Sequence, residues 1–200
     1  MAAPPTALLI LAGPAGVGKS TLCDRLVHDV PGFERVITAT TRPPRSNEVS
    51  GRDYLFFSDA EFDRKIAAGD FLEWAWVHQR YRYGTLKSAV LDRLPQTSLV
   101  MNIDVQGVRS IRAAAQIMPL LKGRLITLFV APDSMDVLRE RLQGRGPVSP
   151  EELARRMQSA EHEIAERNSY DYVIHSSTKE QDFRALLDYW VQAQRKLAQA

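Results

Sequence analysis

Residues 8–12, LLILA, form a short unbroken apolar run, the pattern of a strand buried on both faces of a parallel sheet. A glycine-rich turn follows. Leu22, Leu26, Val27 and Val30 then recur at helical spacing until Pro31 and Gly32 stop the helix. Residues 98–104 (SLVMNID) and 125–130 (LITLFV) repeat the buried-strand pattern. A helix is predicted after each, the first running to about 116 and the second from Ser134 to about Arg145. A last short strand at 172–176 leads into an amphipathic C-terminal helix. Ser58 with Glu61, and Ser149 with Pro150 and Glu152, have the spacing of capping boxes at two further helix starts.

Strands alternating with helices predict an α/β fold with a parallel sheet flanked by helices. Residues 38–97 break that rhythm and predict an inserted unit, and residues 133–160 predict a second, helical insertion. The core is then about 1–37, 98–132 and 161–200, within a single domain. No internal repeat or low-complexity segment interrupts it.

Composition narrows the class. Two hundred residues, 44% of them hydrophobic, can bury a full core. Twenty-six basic against 24 acidic residues leave a net charge of +2. That balance does not suit a dedicated nucleic-acid or membrane binder. Cys23 is the only cysteine, so no disulfide framework or cysteine metal site is available within one chain, and it reads as a small buried apolar residue. The N-terminal apolar run has no basic flank and is far short of a membrane span, so the expected location is a reducing cytoplasm. His28, His78, His162 and His175 show no metal-ligand spacing and read as structural.

Residues 13–21, GPAGVGKST, match G-x-x-x-x-G-K-[ST], with Gly13, Gly18, Lys19 and Ser20 in the fixed positions. Glycines let backbone N–H groups turn inward around a polyphosphate. Lysine reaches its terminal oxygens, and the serine hydroxyl is a ligand for Mg²⁺. The motif follows a predicted strand and opens a predicted helix, whose N-terminus favours anions. Pro14, Ala15, Gly16, Val17 and Thr21 complete the expected ATP-binding stretch. Backbone groups do most of the binding there.

A second basic feature lies in TTRPPRSNEVSGRDY (residues 40–54). The proline pair favours an extended path with three residues per turn, so Arg42 and Arg45 project from one side about 9 Å apart. They could converge on one phosphate, with Tyr54 adding a hydroxyl, or simply form a solvated basic loop. Glu73 sits in the aromatic-rich FLEWAWVH. A carboxylate there is costly without donors, and the guanine edge supplies two, N1–H and the exocyclic amine. Adenine presents an acceptor instead, so such a site could discriminate by about 10⁴-fold. The alternative is a surface charge on a short strand.

Taken together, GPAGVGKST, TTRPPR-x₂-E-V-x-G-x-D-Y, FLEWA, YGT, IDVQG, RLQGRG and YDYVI resemble guanylate kinases in order and spacing, over residues 8 to about 175. The resemblance implies a P-loop NTPase-type core, an inserted GMP-binding subdomain and a mobile helical lid, converting GMP to GDP with ATP and Mg²⁺. It implies Arg42, Arg45, Tyr54 and Tyr83 as the clamp on the GMP phosphate. Glu73 becomes the guanine reader, with Thr38, Thr85 and Asp104 assisting. Arg141, Arg145 and Arg156 resemble lid arginines over the ATP phosphates, although Glu140, Glu151 and Glu152 nearby also suit an ordinary ion-paired helix face.

An ionised acceptor phosphate needs no general base, so alignment and charge neutralisation carry the expected chemistry. Lys19, Arg42, Arg141, Arg145 and Arg156 are the catalytic candidates. The expected partners are ATP and GMP, with no nucleic acid and no membrane. Three departures stand out. Asn102 replaces an aspartate frequent in D-I-D-V-Q-G, which puts magnesium affinity in question. Ser176 falls where V-N-D places asparagine near the adenine. One extra residue before YGT leaves Tyr81 or Tyr83 to meet the phosphate, and the preserved spacing to Gly84 favours Tyr83. A guanylate-kinase-like module without catalysis, or a kinase for another phosphorylated acceptor, are the competing readings.

Overall fold

A computed structural model describes residues 5–77, 80–144 and 148–199. Its main sheet has five parallel strands: β1 (Leu8–Ala12), β2 (Phe33–Arg35), β7 (Ser98–Asn102), β8 (Leu125–Ala131) and β9 (Tyr172–His175), in the order β2-β7-β1-β8-β9. Every residue of β1 is buried, as its unbroken apolar run predicts for a central strand. Leu9 and Leu11 face one layer, with α1 (Lys19–Asp29) and α7 (Lys179–Leu197). Leu8, Ile10 and Ala12 face the other, with α4 (Val105–Ile117). Cys23 is fully buried in the first layer, and burial pushes its thiol up to about 12. The order reverses at β1, whose neighbours lie on opposite sides. The crevice beyond the strand C-termini is therefore where an open α/β sheet binds ligands.

A second sheet, in the order β4-β3-β6-β5, is built from β3 (Ala39–Thr40), β4 (Leu55–Phe56), β5 (Phe71–Val77) and β6 (Tyr81–Leu86). Helix α2 (Asp59–Ala67) covers it. Phe62 stacks on Phe71 with ring centroids 4.4 Å apart, inside a small core with Ala39. The Ser58–Glu61 capping box forms as its spacing predicts. Short α3 (Lys87–Leu91) returns the chain to the main sheet. Helices α5 (Met135–Gln143) and α6 (Pro150–Ala165) pack through Leu138, Leu142, Met157 and Ala160.

Three local expectations change, and one strand is new. The strand at 98–104 ends at Asn102, because the Asp104 carboxylate accepts from Gly107 N–H and caps α4 instead. Helix α5 stops at Gln143, with Gly144 at its C-terminus. At α6 only half a capping box forms: Ser149 accepts from Glu152 N–H, but the Glu152 carboxylate turns to Arg155 and Arg156. Strand β2, only three residues of mixed polarity, carries no sequence signal of its own.

Candidate active site

The loop between β1 and α1 is fixed by its first glycine. Gly13 has φ 129°, and a side chain there would run into the Val130 carbonyl oxygen of β8. Gly18 caps α1 in the left-handed region, without any side-chain cap. The first turn therefore presents its N–H end to the crevice, a ready site for anionic oxygens. Lys19 folds over the loop and donates to the Gly13 and Pro14 carbonyls, the latter at 2.9 Å. Ser20 and Thr21 are exposed beside it.

A cavity of about 450 Å³ opens from this loop, lined by Gly16, Gly18, Thr21, Arg141, Ser177 and Asp182 among others. Arg141 reaches over from α5 and donates to Ser176 Oγ at 3.4 Å. Ser176 in turn donates to the buried Asp182, and Ser177 N–H donates to the other carboxylate oxygen. Arg156 is engaged elsewhere, its Nε 2.9 Å from Glu152 one turn back on α6. Arg145 lies outside the described residues.

Across the crevice, Arg42 donates from Nε to the Tyr83 hydroxyl at 3.1 Å. Tyr54 packs edge-on to Tyr83 with ring centroids 5.9 Å apart, so three of the four phosphate-clamp candidates are neighbours. Tyr81 stacks instead with Arg80. Arg42 and Arg45 do converge on one anion, but it is internal. Arg42 Nη2 lies 2.9 Å from both Glu48 oxygens, while Arg45 gives its backbone N–H at 2.8 Å and its guanidinium stays 3.9 Å away. Partial burial works against ionisation of Glu48, yet these bonds hold its carboxyl below the usual range. The Arg42 side chain is 12% exposed and that of Arg45 is 73% exposed, so the two are not equivalent.

Glu73 is 8% exposed, and its Oε1 accepts from Thr85 Oγ1 at 2.6 Å across the β5–β6 pair. A side-chain carbon at Gly107 would meet Glu73 Oε2 at 3.2 Å, so glycine is what lets the first turn of α4 come this close. Burial raises the Glu73 carboxyl to about 7; the Thr85 bond opposes this, and the Asp104 charge reinforces it. The Thr38 carbonyl accepts from Leu55 N–H at 2.8 Å, just ahead of β3.

A guanylate kinase family model matches residues 6–193. A guanylate kinase from Symbiobacterium thermophilum is 42% identical over 84% of this chain and 76% of its own length. One from Corynebacterium glutamicum is 38% identical over 90% and 93% respectively. The chain belongs to the guanylate kinase family. Its enzyme class is therefore ATP:GMP phosphotransferase. The crystal structure of guanylate kinase from Anaplasma phagocytophilum superposes with a TM-score of 0.75 at 25% identity, over 96% of this chain and 88% of that one. A gluconokinase from Sinorhizobium meliloti, 15% identical at a TM-score of 0.53, shares the fold alone.

Three further residues of this guanylate kinase emerge only from the folded chain. Glu48 is the counter-ion just described, although its place in the quoted motif was a usable signal. Arg82, 5% exposed, pairs with Asp59 and Asp63 and lies over the Phe62 and Trp76 rings, tying α2 to its sheet. Half-buried Glu163 comes from α6, its carboxyl raised by burial to about 7; Lys19 pulls the other way, while Asp104 and Glu166 add to the rise. Nothing in the local pattern around Glu163 separates it from the other acidic residues of that helix. Family members use ATP with a divalent metal, generally Mg²⁺. Among the described residues no helix is long and apolar enough to cross a membrane.

Proposed function

We propose that this chain transfers the γ-phosphoryl group of ATP to GMP, and also to dGMP, with Glu73 reading the guanine and Arg42, Tyr54 and Tyr83 holding the acceptor phosphate. The observation that carries this is the buried Glu73–Thr85 pair, a costly acceptor for which no cationic partner is seen among the described residues. Guanine N1–H and its amine match that acceptor, and adenine does not. Base and phosphate are the groups this set would recognise, which leaves the ribose 2′-position unread and dGMP acceptable.

An ionised oxygen of the acceptor phosphate attacks the γ-phosphorus, the bond to the β-bridging oxygen breaks, and ADP carries the charge away. No proton has to be removed from the nucleophile. Lys19 and the first turn of α1 would hold the donor's β and γ groups. Arg42 would offset repulsion between the two anions, exchanging Glu48 for the substrate. Arg141 stands over the donor cavity, and Arg45, Arg145 and Arg156 would join on closure.

Mg²⁺ fits the exposed Ser20 hydroxyl. Among the described residues no cluster of three or more His, Cys, Asp or Glu could cage a metal, as suits an ion carried mainly by phosphate oxygens and water. When bound, it would supply charge neutralisation between the β and γ oxygens. We also propose a cytoplasmic setting, in keeping with Cys23 as a buried free thiol.

The test is a coupled assay with ATP and magnesium, comparing GMP, dGMP, AMP and UMP as acceptors for the full chain and for Glu73→Gln. GMP and dGMP should react at least about 10³-fold more efficiently than AMP, and Glu73→Gln should lose most of that margin. An unchanged acceptor preference in Glu73→Gln would remove the base-reading assignment.

A further inference from the structure

Arg35 is the last residue of β2, just before the chain leaves the main sheet for the second sheet at β3, and its guanidinium reaches α1. Its Nη2 donates to Asn102 Oδ1 at 3.0 Å, at the C-terminal tip of β7. Its Nη1 pairs with Asp24 on α1. Its charge also favours the ionised forms of Cys23 on α1 and of Tyr54 and Asp53 in the insertion. One guanidinium thus stands between the helix that follows the phosphate loop, the end of a core strand, and the tyrosine beside Arg42.

What holds it matters. A carboxylate at position 102 would accept the same bond and cancel the charge. The carboxamide of Asn102 accepts it and leaves the charge in place. Among the described residues Asp24 is the carboxylate in ion-pair contact with Arg35, and its side chain is 64% exposed, so that pair is screened and weak. An arriving phosphate can compete for Arg35 at little cost. Asn102 and Arg35 together therefore present a cation from the rigid core, whereas Arg42 and Arg45 come from the insertion.

We propose that Arg35 is a further cation of the acceptor-phosphate site, held in place by the neutral acceptor Asn102 so that its charge remains available to substrate. This rests on the reading that the acceptor phosphate lies at Arg42, Tyr54 and Tyr83.

Steady-state kinetics of the full chain would decide it, with GMP and ATP varied separately at fixed magnesium. Arg35→Met should raise KM for GMP about tenfold, the worth of one charge-assisted hydrogen bond, with KM for ATP within about twofold. Arg35→Lys should recover much of that loss. Asn102→Asp, which installs a counter-ion, should raise KM for GMP about threefold or more. Asp24→Asn breaks the surface pair but keeps the cation, and should leave KM for GMP unchanged or lower.

The proposal is overturned if Arg35→Met, or Arg35→Gln should the first variant not fold, leaves KM for GMP as in the parent. Equal rises for GMP and ATP, or the same rise in Asp24→Asn, would mark a structural pair and also overturn it. So would an Asn102→Asp variant that changes only the magnesium requirement. Failure of the unaltered chain to phosphorylate GMP would instead defeat the underlying reading, and shows before any variant is made.

Discussion

If Glu73 reads guanine as proposed, protonation and guanine would compete for the same carboxylate oxygens. Burial raises its carboxyl from an ordinary 4.5 to about 7. Between those values the unfolded chain has released the proton and the folded chain still holds it. Stability of the ligand-free protein therefore falls as pH rises through this window, on the order of 3 kcal/mol at most from Glu73. Glu163, also raised to about 7, acts in the same direction. Guanine binding through Glu73, as proposed, would demand the ionised form, so GMP affinity should improve about tenfold from pH 6 to pH 8. Calorimetric titration at both values checks this. Glu73→Gln should lose the part of the slope that titration of the GMP phosphate does not explain, and an identical slope in both proteins would defeat the assignment.

Elements set how closely these groups meet. The first turn of α4 reaches Glu73 because Gly107 carries no side chain, and the same turn is capped by Asp104. Gly107→Ala would place a carbon 3.2 Å from Glu73 Oε2 and 3.0 Å from Ile103 Cδ1. Helix propensity favours alanine by up to about 1 kcal/mol, so the variant should fold. Its cost should fall on recognition, with KM for GMP up several-fold and KM for ATP unchanged. Thermal unfolding alongside kinetics separates the two effects; a loss of stability with normal KM would show that the contact is only packing. Sequence patterns gave this helix its place, but 105 and 107 look alike as first-turn positions until β5 is laid against them.

For the whole molecule, the crevice joins a core that would hold one nucleotide to an insertion that would hold the other, with α5 carrying Arg141 over the donor cavity. Closure with both sides filled would exclude water, so transfer to GMP should exceed ATP hydrolysis without GMP by roughly 10²-fold or more. Coupled-enzyme measurement of ADP release with and without GMP checks this, and comparable rates would contradict a closure-dependent site. The layers themselves were legible beforehand. The apolar runs at 8–12 and 125–130 became central strands, and the Ser58–Glu61 pair became the cap it resembles.

What the linear chain determined by itself was whatever depends on neighbours within a few residues: strand and helix periodicity, the phosphate-loop turn that Gly13 and Gly18 permit, and the family motifs. Tertiary structure alone decided which distant charges meet. Glu48 joined Arg42 to Arg45 because a loop folded back. Tyr83 rather than Tyr81 met Arg42, although the two share a face of β6, because β3 pairs Thr40 with Tyr83 and ends there. Asn102 met Arg35 because β2 pairs with β7 across 60 and more residues of chain. Periodicity records which side of an element is apolar; it does not record what will be brought opposite the polar side, since that follows from sheet order and loop path.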